Sequence, residues 1–179
     1  MNRSNKIFKT VFSALFLALA YVLPFLTGQV PEIGSMLCPM HIPVIICGYI
    51  CGGPWGALVG FIAPLLRSLT IGMPPLFPTA VCMALELATY GAVSGVMHKL
   101  LPRKKPYVYC TLITAMLLGR VVWGVSMLAI TTVNGGSFGF PAFLAGAITN
   151  AIPGIVLQLA LIPLVIIILE NTKAIKNRL

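Results

Sequence analysis

Long apolar runs alternate along this chain with short stretches rich in glycine, proline or basic residues. The runs cover Val11 to Leu26, Ile42 to Leu66, Leu76 to Val96, Val108 to Ile130 and Phe143 to Leu169. A bilayer core about 30 Å thick takes roughly 20 residues of helix, so each run predicts at least one membrane span. The second run contains Gly52-Gly53-Pro54. Glycines weaken a helix there, and proline suits the first turn of a new one. Read whole, that run gives five spans in the chain; divided at these residues, it gives six.

Charge decides between the two counts, because lysine and arginine near span ends prefer the cytoplasm. The basic residues fall into three clusters, Arg3/Lys6/Lys9, Lys99/Arg103/Lys104/Lys105 and Lys173/Lys176/Arg178. With five spans the middle cluster follows three crossings and lies outside. With six it follows four, the last cluster follows six, and ten of the twelve basic residues are inside. The expected fold class is therefore an all-α membrane protein with six transmembrane helices, N- and C-termini cytoplasmic, forming one domain over 1–179. The spans are expected at about 10–27, 40–53, 54–70, 76–98, 107–131 and 141–169. Span two, only about 21 Å long at helical rise, is expected to be short, tilted or capped by loop. The basic start and Ala18-Leu19-Ala20 mimic a cleavable signal, but the apolar run continues through Tyr21, Val22, Leu23 and Phe25, as a span does.

Composition agrees. Of 179 residues, 59% are hydrophobic and 8% charged, too little polar surface to cover a soluble core. The net charge of +9 comes from the three clusters and not from an aromatic-studded basic face, so no nucleic-acid partner is expected. The five cysteines lie in or beside apolar runs, and the one close pair, Cys47 and Cys51, lacks the further ligands of a zinc site; they read as packing residues, with no metal and no cofactor. There is no Gly-x-x-x-x-Gly-Lys-[Ser/Thr] phosphate loop, no aspartate and only three glutamates. If the protein pumps, another subunit must hydrolyse the nucleotide.

Charges within spans are expensive enough to mark function by default. Arg67, Glu86 and Arg120 qualify. At 1.5 Å per residue, Glu86 falls roughly 12 Å below the outer end of its span, Arg120 roughly 16 Å and Asn150 roughly 14 Å, with Arg67 near the outer end of span three. His41 opens span two on the same side, Tyr90 is one turn from Glu86, and Trp123 is three residues from Arg120. These seven residues form the candidate substrate-binding layer, under polar connections at 27–39, 68–78 and 131–139. Glu86 and Arg120 read equally as a structural ion pair. Two arginines against one glutamate favour a ligand with a carboxylate, although Glu86 also suits a cationic or hydrogen-bond-donating one.

Small residues mark close helix contacts in lipid. Gly48, Gly52, Gly56 and Gly60 recur every four residues and read as packing within the bundle. Ala14 and Ala18 make a similar face on span one, suited to a partner helix. With His41-Ile-Pro-Val, Gly52-Gly53-Pro54-Trp55-Gly56, Gly72-Met73-Pro74-Pro75, Glu86-Leu87, Tyr90-Gly91 and Ser94-Gly95 in place, the chain resembles the S components of energy-coupling factor (ECF) transporters over nearly its whole length. Those are small six-helix proteins of prokaryotic cell membranes that bind vitamins. The resemblance implies a non-enzymatic subunit that captures a micronutrient on the outer side. Its partners are a transmembrane coupling (T) subunit, docked on Ala14 and Ala18, and two ATPase subunits. The general pattern is nearest pantothenate-type members. Pyrimidine or pyridoxine precursors, α-ribazole and queuosine precursors are the alternative ligands. A solitary channel or carrier, and a small membrane enzyme using Glu86 or His41 as acid–base group, are the competing classes.

Overall fold

The computed structural model describes residues 3–27, 36–102, 105–135, 139–147 and 151–171. The helices are α1 (Arg3–Val22), α2 (His41–Cys51), α3 (Gly53–Ile71), α4 (Val81–Leu100), α5 (Lys105–Val133), α6 (Phe140–Ala147) and α7 (Ile152–Asn171), with no strand among the described residues. A 3₁₀ turn, Leu23–Thr27, extends α1, and a wider turn, Leu76–Ala80, leads into α4. Asn150 and the cluster Lys173/Lys176/Arg178 lie outside the described residues, as do Arg103 and Lys104.

The break in the second apolar run falls at Gly52. Its φ of 94° is in the region that favours glycine, and its N–H closes α2 on the Gly48 carbonyl at 3.0 Å. Pro54 then sits in the first turn of α3, where its missing N–H costs nothing. Gly72, left-handed at φ 78°, ends α3 with its N–H on the Ser68 carbonyl. In the last apolar run, expected as one span over 141–169, the described helices are α6 and α7; residues 148–150 between them are outside the described residues. Five segments are long and apolar enough to cross a membrane among the described residues: Arg3–Leu26, Gly53–Ile71, Leu76–Leu100, Lys105–Val133 and Ile152–Leu169. Helix α2 is shorter, about 16 Å, and all eleven of its residues are buried, so it is enclosed by protein.

Contacts between named residues fix the directions. Ser13 meets Cys47, while Lys9 lies beside Gly52, so α1 is antiparallel to α2. Gly56 lies against Gly91 and Gly60 against Leu87, so α3 is antiparallel to α4. His41 reaches Glu86 and Gly48 touches Ser94, so α2 and α4 run parallel. Glu86 meets Arg120 and Cys82 meets Met127, so α5 reverses again. Helices α1 to α5 therefore alternate in direction. Helix α7 begins under the carbonyls of Met36 and Leu37, which Gly154 approaches.

The core is built where α2, α3 and α4 meet. A Cβ on Gly56 would stand 2.6 Å from the Gly48 Cα and 2.7 Å from the Gly91 carbonyl oxygen. Backbones this close leave no room for a side chain and gain dispersion contact along their length. Three of the four glycines spaced by four, Gly48, Gly56 and Gly60, serve this packing. Gly52 does not: a Cβ there would meet only the Lys9 Nζ at 3.8 Å, and its role is the turn. Tyr49 ties the opposite end of the bundle to α5 through a hydrogen bond to the Val108 carbonyl at 2.9 Å, both groups buried. Tyr49→Phe is expected to cost about 1 kcal/mol through the loss of this buried hydrogen bond, read as a lower thermal midpoint in detergent.

Candidate functional site

Glu86 lies in the second turn of α4 and is 2% exposed. Three side chains converge on its Oε1. Arg120 of α5 forms an ion pair at 3.0 Å. Tyr90, one turn further along α4, donates its hydroxyl at 3.3 Å. His41, the first residue of α2, places Nε2 at 3.5 Å. The parallel run of α2 and α4 brings His41 level with Glu86, and the antiparallel α5 returns Arg120 to the same height. His41 also meets Tyr90 edge to face, with ring centroids 5.0 Å apart.

Local sequence explains how these groups get so close. Gly119 faces the Tyr90 ring, and a Cβ there would come within 3.0–3.1 Å of its carbons; any larger residue would push Arg120 away from Glu86. Cys38 stands at the rim, where its φ of 47° turns the chain into α2, and Arg120 Nη2 points at its sulfur at 3.7 Å. Burial of an ion pair this deep is stabilising only when its geometry and remaining hydrogen bonds are good. Here the carboxylate also accepts the Tyr90 hydroxyl. His41 is less well provided: neither ring nitrogen has a hydrogen-bond partner among the described residues, although the residue is 2% exposed.

The structure thus brings His41, Glu86, Tyr90 and Arg120 together. Trp123 is one turn beyond Arg120 and stacks on Phe143 of α6, with centroids 6.4 Å apart. Gly146 of α6 fits against the Trp123 ring and Gly124 of α5 against Phe143, so α5 and α6 clasp each other through two aromatic-on-glycine contacts. Asn150 lies outside the described residues.

Arg67 is held elsewhere. The pairing of Gly56 with Gly91 and Gly60 with Leu87 sets Arg67 level with about Ala80, roughly 9 Å along α4 from Glu86 at helical rise. Its Nη1 donates to the Tyr21 carbonyl at 2.9 Å, and its guanidinium lies 4.8 Å from the Phe25 ring centre. A 3₁₀ turn would satisfy that carbonyl from residue 24, but Pro24 has no N–H. Arg67 supplies the donor. Arg67→Met is expected to lower stability by about 2 kcal/mol through this lost bond and cation–π contact, measured by thermal unfolding, with the Glu86 site left intact.

Two participants carry no sequence signal. Cys38 is a lone cysteine in a connection, and Phe143 is one apolar residue among many. Among the described residues, no group of three or more His, Cys, Asp or Glu is placed to hold a metal ion.

No curated protein and no solved structure matches the chain. The family model described as "ECF transporter, substrate-specific component" matches residues 8–166, without singling out a pantothenate type. That match takes in most of α1, all of α2 to α6 and most of α7, including every residue of the buried cluster, and the chain belongs to the substrate-specific component family of ECF transporters.

Proposed function

We propose that this chain crosses a prokaryotic plasma membrane six times, with both termini in the cytoplasm, and captures a small molecule on the outer side in the layer formed by His41, Glu86, Tyr90 and Arg120. The observation that carries the reading is that layer itself. It is a buried, charged cluster within an apolar bundle, at the end where α2 and α4 begin, containing an imidazole with unused hydrogen-bonding capacity. Trp123 and Phe143 beside it offer aromatic surface to a ligand ring. The alternating directions of α1 to α5 support six crossings, with the enclosed α2 counted as one of them. ATP hydrolysis belongs to separate partner subunits, joined through a transmembrane coupling subunit.

The docking face is on α1. Ala14 and Ala18 are exposed, and Ile7, Val11, Leu15 and Leu19 surround them on the same apolar surface. Small residues in that setting let a partner helix come close. Ala14→Trp or Ala18→Trp is expected to reduce recovery of the coupling subunit about tenfold in co-purification while leaving the chain folded, because neither side chain touches the core. Leu117→Trp, on the exposed face of α5, serves as control. Full recovery with both α1 variants would defeat the proposal.

A further inference from the structure

We infer, resting on the binding-subunit reading above, that the molecule held at Glu86 and Arg120 carries no net charge: it is a flat ring compound that offers a donor to the carboxylate and an acceptor to the guanidinium or imidazole. Charge balance carries the argument. Glu86 and Arg120 have side chains 2% and 15% exposed and lie 3.0 Å apart, so within the cluster their charges cancel. Counting along the sequence sets a second arginine in the same layer, but Arg67 is bonded to the Tyr21 carbonyl, about 9 Å further along. Among the described residues, the other groups around the pair are the Tyr90 phenol from α4, the His41 imidazole from α2 and the Cys38 thiol. Among the described residues, no further lysine, arginine, aspartate or glutamate joins the pair to supply the standing charge that an ionic ligand requires. An unbalanced charge in a membrane interior is strongly disfavoured, so an ionic ligand would undo the balance the site has.

The imidazole gives the second, independent indication. An imidazole has two ring nitrogens that seek hydrogen bonds; His41 is buried, its Nε2 stands 3.5 Å from Glu86 Oε1, and among the described residues neither nitrogen has a hydrogen-bond partner. Buried polar groups are almost always satisfied. A ligand edge carrying an N–H or O–H next to a carbonyl or ring nitrogen satisfies His41 and matches the acceptor–donor pair of Glu86 and Arg120. The edge-to-face rings of His41 and Tyr90 and the stacked Trp123 and Phe143 suit a planar body behind that edge.

The test uses the full chain purified into lipid nanodiscs. Any retained small molecule is extracted with solvent, passed over anion and cation exchangers at neutral pH and identified by mass. In parallel, the thermal midpoint is measured with millimolar benzamide, benzoate or benzylammonium, three probes of similar shape and different charge. The expected result is a molecule that neither exchanger holds, or stabilisation by benzamide above both ions. Glu86→Gln is expected to weaken retention about tenfold or more. A retained anion or cation, or stabilisation by benzoate or benzylammonium above benzamide, would overturn the inference and leave the binding role standing. No retained molecule and no shift with any probe would overturn the binding role itself.

Discussion

Gly91→Ala is expected to destabilise the protein by about 3 kcal/mol or more, the upper end of what overpacking costs. The added methyl would land on the carbonyl carbon and oxygen of Gly56 and 2.8 Å from the Ala57 nitrogen. These are backbone atoms of α3, which no rotamer change moves aside. The intrinsic helix preference for alanine over glycine, about 1 kcal/mol, acts in the opposite direction and is outweighed. Because α3 is held against both α2 and α4 at this level, separating α3 from α4 also disturbs the Gly48–Gly56 approach and, through α2, the height of His41 relative to Glu86. The variant should therefore lose ligand retention along with stability. Gly139→Ala is the matched control, since among the described residues its Cβ would meet only Pro141 Cδ at 3.5 Å, an ordinary contact. The measurement is the fraction of chain still monodisperse after stepwise heating. Equal midpoints for the two variants would show that the three-helix junction is looser than this geometry requires.

The features legible in the sequence were those with one-dimensional signatures. Apolar runs located the helices, and Gly52-Gly53-Pro54 marked the reversal because each residue there has a backbone reason to be where it is. Rise per residue gives heights along the bundle, and His41, Glu86, Tyr90 and Arg120, set at one level on that count, are in contact in the structure. Height does not give azimuth. Spacing sets Arg67 in the outer half with the others and does not show that its side chain faces α1, where it bonds the Tyr21 carbonyl. Cys38 and Phe143 were missed for a related reason: their contacts with Arg120 and Trp123 arise between elements remote in sequence.

Neutralising one member of the Glu86–Arg120 pair is expected to be far worse than neutralising both. Glu86→Leu leaves a guanidinium buried with no carboxylate, and Arg120→Met leaves a carboxylate with only Tyr90 and His41 as partners. Removing one side of a buried pair typically costs about 3–5 kcal/mol, whereas replacing both sides with apolar groups of similar volume is often neutral or stabilising. The double variant E86L/R120M is therefore expected to melt near the wild-type midpoint, and each single variant well below it. A coupling energy of several kcal/mol in this cycle identifies a pair that pays its own desolvation only while intact. Ligand retention must follow a different pattern if the pair is also the binding site: absent in both single variants and absent in the stable double variant. A double variant that is stable and still retains ligand would make the pair purely structural. The same cycle thus separates what Glu86 and Arg120 do for the fold from what they do for the cargo, and only the second role explains why a membrane bundle keeps two buried charges where two apolar side chains would hold it together as well.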